Sequence, residues 1–171
     1  MAQHKYEFSY ERIILKPLGK EDIEDLRNLR NRMKDFFFTN EDITVEAQKK
    51  WYERYLKKEN DIMFKAVKKE APDTFIGTIA IYDIADDLSV AELGRTLVDK
   101  EKAPEKGIGT EVTKAACLFA FDVLKINKIR GEVLKSNPRA LKMDLNAGFY
   151  LIGDYDQDSH LIEMTRETIK L

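Results

Sequence analysis

Residues 106–111 read Lys-Gly-Ile-Gly-Thr-Glu and run straight into an apolar helical stretch that continues to Leu124. Two glycines one residue apart let the backbone turn tightly with its N–H groups converging, and the helix behind them adds the positive end of its dipole. Such a turn suits an anion, a phosphate above all; its plain alternative is a glycine cap at a helix start. A dinucleotide-binding fingerprint would need a third glycine where Val112 stands. A Walker loop would need Gly-Lys-Ser/Thr, whereas here Lys106 precedes Gly107. Neither motif is present, which argues against nucleotide hydrolysis.

The two histidines, His4 and His160, stand apart from any cysteine or carboxylate pair at ligand spacing, so neither a metal centre nor a histidine-activated nucleophile is expected. Proton transfer then falls to a carboxylate, a tyrosine or water. Glu92 stands out, because it interrupts the uncharged run Val90-Ala91-Glu92-Leu93-Gly94 in a strand expected at the middle of the sheet. A carboxylate there either takes part in chemistry or hydrogen-bonds a neighbouring loop, and both readings stand. Gly94 suggests a bulge or a close backbone approach. The acidic trio Asp154, Asp156 and Asp158 could draw a cation but reads better as a turn between strands.

The elements that must position these residues follow from periodicity. Residues 12–18 form a first strand, closed by Pro17 and Gly19, and residues 20–33 place Ile23, Leu26, Leu29 and Met33 at helical spacing. A loop with Phe36, Phe37 and Phe38 leads to a second amphipathic helix over 44–58. Three antiparallel strands are expected over 61–68, 74–82 and 89–99. The central helix then carries Ile108, Val112, Ala115, Ala116, Phe119, Ala120 and Val123 on one stripe. A strand over 128–134, a short helix opened by Asn137-Pro138 and ended by Gly148, and strands over 149–155 and 161–169 complete the chain. The expectation is one α/β (α+β) domain over residues 1–171, with residues 1–10 a flexible or edge segment.

The 171 residues carry 29 basic and 31 acidic side chains, for a net charge of −2. That mixture gives no overall attraction to nucleic acid, which is not expected as a partner. Cys117, the single cysteine, lies inside the apolar helix and has no partner for an internal disulfide, which suits a reducing compartment. Residues 1–9 lack the apolar core of a secretory signal, and no window approaches the ~20 apolar residues of a spanning helix. A cytoplasmic location without membrane attachment is expected.

Four segments together carry a resemblance: Ile14-Leu15-Lys16-Pro17-Leu18 with Glu21-Asp22; Ala91-Glu92-Leu93-Gly94; residues 106–111; and Asn137-Pro138-Arg139-Ala140 followed by Asn146-Ala147-Gly148-Phe149. In this order and spacing the chain, from about Arg12 to its end, resembles the GNAT superfamily of N-acetyltransferases, and within it the ribosomal-protein acetyltransferase-like (RimJ/RimL) branch. The resemblance implies a GNAT-like fold: a mixed, mostly antiparallel sheet of about seven strands, splayed between the fourth and fifth, with about four flanking helices.

It also implies acetyl-CoA as co-substrate and no metal. The pyrophosphate would lie against Lys106, Gly107, Ile108, Gly109 and Thr110, the pantetheine arm would pair with the backbone of Leu97, Val98 and Asp99, and Asn137 would hydrogen-bond that arm. The family's Arg or Gln three residues before the first glycine is Pro104 here, which moves a pyrophosphate contact to Lys102 or Lys106. Glu92 is the implied base, acting through water in direct transfer from donor to amine.

Where many relatives carry a tyrosine that protonates the departing thiolate, this chain has Asp144. An ordinary aspartate is ionised at neutral pH and cannot donate a proton. The expectation is therefore that the thiolate leaves with help from water or another hydroxyl, Tyr150 being a candidate, unless burial raises Asp144 strongly. Arg30, Asn31, Phe36, Phe38, Trp51 and Tyr55 are acceptor-wall candidates by location, with core packing as the competing explanation for Trp51 and Tyr55. The acceptor is read as a small amine or amino sugar ahead of a protein N-terminus, with a homodimer open. The rival reading is a non-catalytic acyl-CoA-binding sensor or interaction module.

Overall fold

A computed structural model describes residues 3–37 and 41–171. One mixed sheet runs through the middle of the molecule in the order β1-β2-β3-β4-β5-β6-β8-β7. Its strands are β1 (Phe8–Tyr10), β2 (Ile13–Pro17), β3 (Ile62–Lys68), β4 (Gly77–Tyr82), β5 (Ala91–Val98), β6 (Lys128–Leu134), β7 (Tyr150–Asp154) and β8 (Ser159–Thr165). Helices α1 (Ile23–Arg32) and α2 (Val45–Tyr55) cover one face, and α3 (Ile108–Leu118) and α4 (Pro138–Ala147) the other.

Covering both faces explains why β3 and β4 are buried almost residue by residue rather than alternately. Met63, Ala80 and Leu97 pack under α1 and α2, while Phe64, Ile79, Ile81 and Val98 turn toward α3. The eighth strand, beyond the seven expected, is the N-terminal edge strand β1, paired antiparallel to β2. His4, read as near a loose end, lies against the Phe64 ring at 5.0 Å with Nε2 2.9 Å from the Met63 carbonyl.

The central helix departs from a single stripe. After Leu118 one π turn, Phe119–Val123, closes with Leu124 N–H donating to the Phe119 carbonyl at 3.1 Å. That i to i+5 bond inserts an extra residue into the turn, so Val123, expected in the core, is 46% exposed. The final strand also stops early, at Thr165, where a turn closed by Thr168 N–H donating to the Thr165 carbonyl takes over. The acidic trio sits at the β7–β8 turn, with the Asp156 carboxylate accepting from Asp158 N–H at 2.8 Å.

Function is positioned by a defect in the sheet. The parallel pair β5 and β6 is joined only at Ala91↔Ile129 and Glu92↔Arg130, while β6 stays paired with β8 along its whole length. Beyond Glu92 the register of β5 against β4 slips, and Arg95 takes φ 53°, a left-handed conformation that twists β5 away from β6. Thr78 Oγ1 donates to the Arg95 carbonyl at 2.8 Å and holds the bulge in place. This is the bulge that Gly94 announced: a Cβ at that position would lie 2.9 Å from the Tyr82 hydroxyl. The splay occurs between the fourth and fifth expected strands, here β5 and β6.

Candidate active site

Two cavities meet at the splay. One, of about 560 Å³, is lined by α1, α2, the bulge, β6 and α4. The other, of about 630 Å³, runs along the outer half of β5 to the start of α3 and the flank of α4. Thr96, Leu97, Asn137, Ala140 and Met143 line both, so the two spaces adjoin at the gap between β5 and β6.

The second cavity has the makings of an anion site. Gly107 adopts φ 85° at the N-cap of α3, a conformation that disfavours any residue with a Cβ. The first helical bond there is Glu111 N–H to the Gly107 carbonyl at 3.0 Å, so the amides up to Thr110 have no acceptor within the helix. Arg12 clips the turn from behind, Nη2 donating to the Lys106 carbonyl at 2.9 Å and Nε to Glu111 at 2.9 Å. That carbonyl is thereby tied to Arg12. Lys106, Gly107, Gly109 and Thr110 line the cavity; Ile108 is wholly buried in the core and offers only its backbone.

Gly109 has a second duty. A Cβ there would come 2.5 Å from the Met143 sulfur of α4, so this glycine lets α3 and α4 pack closely. Lys102 is exposed and lies off the cavity wall; the cations on that wall are Lys100, Lys106, Arg139 and Lys142. Along β5, Asp99 N–H is bound by the Ile76 carbonyl at 2.7 Å and Leu97 is paired with Thr78. Val98 between them therefore presents its N–H and C=O on the side from which β6 has diverged. The Asp99 side chain is structural, holding Arg32 at 3.1 Å and Glu101 N–H at 3.0 Å.

Asn137 serves both readings made of it. Its Oδ1 caps α4 by accepting Ala140 N–H at 3.1 Å, and its Nδ2, which has no hydrogen-bond partner among the described residues, belongs to a side chain lining both cavities. One turn further along α4, Asp144 lines the first cavity while remaining 9% exposed. The expectation of an ordinary ionised aspartate fails here: burial alone raises its pKa to about 7, because no hydrogen bond stabilises the charged form. Tyr150, by contrast, lies outside both cavities, its hydroxyl donating to Glu163 at 3.3 Å on the edge strand β7.

Glu92 is half-buried and does not line either cavity; its neighbours across the sheet are Tyr82 on β4 and Arg130 on β6. Burial raises its pKa, Arg130 opposes the rise, and the charges of Asp83 and Glu132 add to it. The β6 carboxylate on the first cavity's wall is Glu132, two residues beyond Arg130 on the same face of the strand, accepting from Ser159 Oγ at 2.9 Å. Sequence reading missed Glu132, although the charged-apolar alternation of β6 assigns it to the face of Glu92.

On the acceptor side, Arg30, Phe36 and Trp51 line the first cavity. Asn31 does not: its amide is tied to the Ile43 backbone at 2.7 and 3.0 Å, fixing the segment that leads into α2. Tyr55 belongs to the core, 2% exposed, accepting Met63 N–H at its hydroxyl and stacked on Trp51 at 5.5 Å. Phe38 lies outside the described residues. Gln48 and Arg95 also line the wall and carried no sequence signal beyond their polarity.

A family model for the acetyltransferase (GNAT) domain matches residues 12–150. The chain belongs to the GNAT acetyltransferase family. It is 30% identical over 152 residues, 82% of each protein, to a probable N-acetyltransferase, YjcK, of Bacillus subtilis (strain 168). Among solved structures, apo FdhC, described as a nucleotide-linked sugar GNAT, superposes with a TM-score of 0.84 at 18% identity, covering 96% of this chain and 93% of its own. A spermidine N-acetyltransferase from Vibrio cholerae, in complex with CoA and spermine, gives 0.80 at 18% identity, covering 92% and 97%.

This GNAT chain is thus an N-acetyltransferase of a family that uses acetyl-CoA as acyl donor, and the sensor alternative yields to that assignment. The second cavity suits such a donor: its free amides and four cations match phosphates, and the unpaired edge of β5 matches an amide-bearing arm. Among the described residues no three or more His, Cys, Asp or Glu side chains gather as a metal site, and no helix is long and apolar enough to cross a membrane.

Proposed function

We propose that the enzyme transfers acetyl from acetyl-CoA directly to a primary amine across the β5–β6 splay, in a ternary complex and as a member of the RimJ/RimL-like branch. The observation that carries this reading is that the two cavities share Asn137 and the outer part of the bulged strand as a common wall, with Asp144 on the first. The donor enters from the α3 turn and the amine from the α1–α2 side. Amides of the bulge stabilise the oxyanion. The amine proton leaves through water to Glu92, whose affinity for it is raised by burial and by Glu132.

Asp144 is the acid. It lines the cavity where the donor's thiol end would lie, and it is half protonated near neutral pH, so it can hand its proton to the departing thiolate. The acceptor class is a small amine or amino sugar rather than a protein N-terminus. A first cavity of about 560 Å³ falls within the range of small-molecule sites, and the solved relatives named above act on a nucleotide-linked sugar and on spermidine by their descriptions.

Donor placement is tested at Thr110, which lines the second cavity in the first turn of α3. Glutamate is well tolerated in a first helical turn but sets a negative charge against a phosphate a few ångströms away. Thr110→Glu should fold normally and weaken acetyl-CoA binding at least about tenfold, read by calorimetry. Unchanged affinity in a folded variant would remove the α3 turn from the donor site.

A further inference from the structure

Of the half-buried arginines, Arg27 is paired with Glu24, Arg95 with Asp61 and Arg130 with Glu163. Arg30 alone in that group has no carboxylate or hydrogen-bond partner among the described residues; its guanidinium lies over the Phe37 ring, 4.7 Å from the centroid, on the wall of the first cavity. Burial, then the charge of Arg95, pulls its pKa below the ordinary arginine value, as expected of a cation whose charge nothing nearby compensates. Arg95 differs, since its fork is closed bidentately by the buried Asp61 at 2.7 and 2.8 Å.

On α2, Gln48 is only 4% exposed, lines the same cavity, and has no side-chain hydrogen bond among the described residues. Its amide atoms are open to the cavity, where a polar group of a ligand can pair with them. The cavity's two carboxylates, Glu132 and Asp144, belong to β6 and α4 across the splay; α1, α2 and the segment between them place none on its wall. Residues 38–40, which fall in that segment, are Phe-Thr-Asn and carry none either.

Resting on the reading of this cavity as the acceptor site, we infer that the acceptor is an amine bearing an anionic group, phosphate or carboxylate, that pairs with Arg30, and a neighbouring polar group that completes Gln48. A guanidinium offers a planar fork that matches either anion. A polyamine would find an uncompensated cation facing it and no acid on the α1–α2 wall to neutralise its own charges.

Trp51 is the only tryptophan and lines the cavity, so its fluorescence reports occupancy. With desulfo-CoA saturating the donor site, the protein is titrated with glucosamine 6-phosphate, aspartate, glucosamine and spermidine, and transfer to each is followed with acetyl-CoA. At least one of the two anionic amines should bind and be acetylated in preference to glucosamine and spermidine, the stronger of the two telling phosphate from carboxylate. Arg30→Gln should raise its KM roughly 10- to 100-fold, the worth of a charge-assisted hydrogen bond, and affect glucosamine far less, while Arg30→Lys recovers part of the loss. Preference for spermidine or glucosamine over both anionic amines, or indifference to Arg30→Gln, would overturn the inference and leave acetyl transfer standing. Acetyl-CoA binding without transfer to any amine would overturn the reading beneath it and the inference with it.

Discussion

Asp144→Asn is expected to lower kcat about 10²-fold near neutral pH without changing acetyl-CoA affinity, because the amide keeps the shape of the carboxyl but has no proton to give. The pH profile carries the sign. A carboxyl donates only while protonated, and with its pKa raised to about 7 by burial that form is lost as pH climbs through neutrality. Wild-type kcat should fall on that limb, and the limb should vanish in the variant.

The same shift has a thermodynamic face that does not depend on the reaction. In the unfolded chain Asp144 titrates near the ordinary aspartate value; in the folded protein its pKa is raised, from 3.8 to about 7. Stability from this group is fully present below the ordinary value and declines as pH rises toward about 7. The complete loss amounts to roughly 4 kcal/mol. Asp144→Asn should therefore flatten the decline of melting temperature between pH 4 and 7, a range taken from the two pKa values. Parallel melting profiles, together with unimpaired kcat, would return Asp144 to the role of a packing residue and leave the thiolate to depart unaided.

Glu92→Gln should reduce kcat more, about 10²–10⁴-fold, with partial recovery at high pH as the amine arrives already deprotonated. Glu92 must be ionised to accept a proton, so the acidic limb of the wild-type profile follows its raised pKa. Glu132 is one of the charges that raise it. Neutralising that charge in Glu132→Gln should move the acidic limb to lower pH, whereas a purely structural Glu132 would leave the limb in place. If Glu132→Gln abolishes turnover while Glu92→Gln barely slows it, the base is the carboxylate on the wall and not the one behind it.

How much of this could be read from the chain varies with the physics involved. The helices and strands were legible because their periodicity is local, and the α3 turn because a glycine that must adopt φ 85° leaves its mark in the sequence. The splay was expected from the family resemblance, and Gly94 marked its bulge. The surroundings of Asp144 were not legible: its pKa depends on burial by a fold that brings α3, and Cys117 on it, close to α4 from a distant part of the chain. Nor was the division among neighbours such as Trp51 and Tyr55, stacked with planes 3° apart, one facing the cavity and the other bound to Met63. Lys102 was chosen by nearness to Gly107 along the chain, while α4 brings Arg139 and Lys142 to the same cavity from across the fold.

Direct transfer across the splay is tested most plainly by incubating the enzyme with acetyl-CoA, with and without amine, while following free thiol and the mass of the intact protein. Thiol should appear only when the amine is present, one for one with acetylated product, and the protein should keep its unmodified mass throughout. A burst of thiol without amine, accompanied by an acetyl group on the protein, would contradict transfer in a ternary complex.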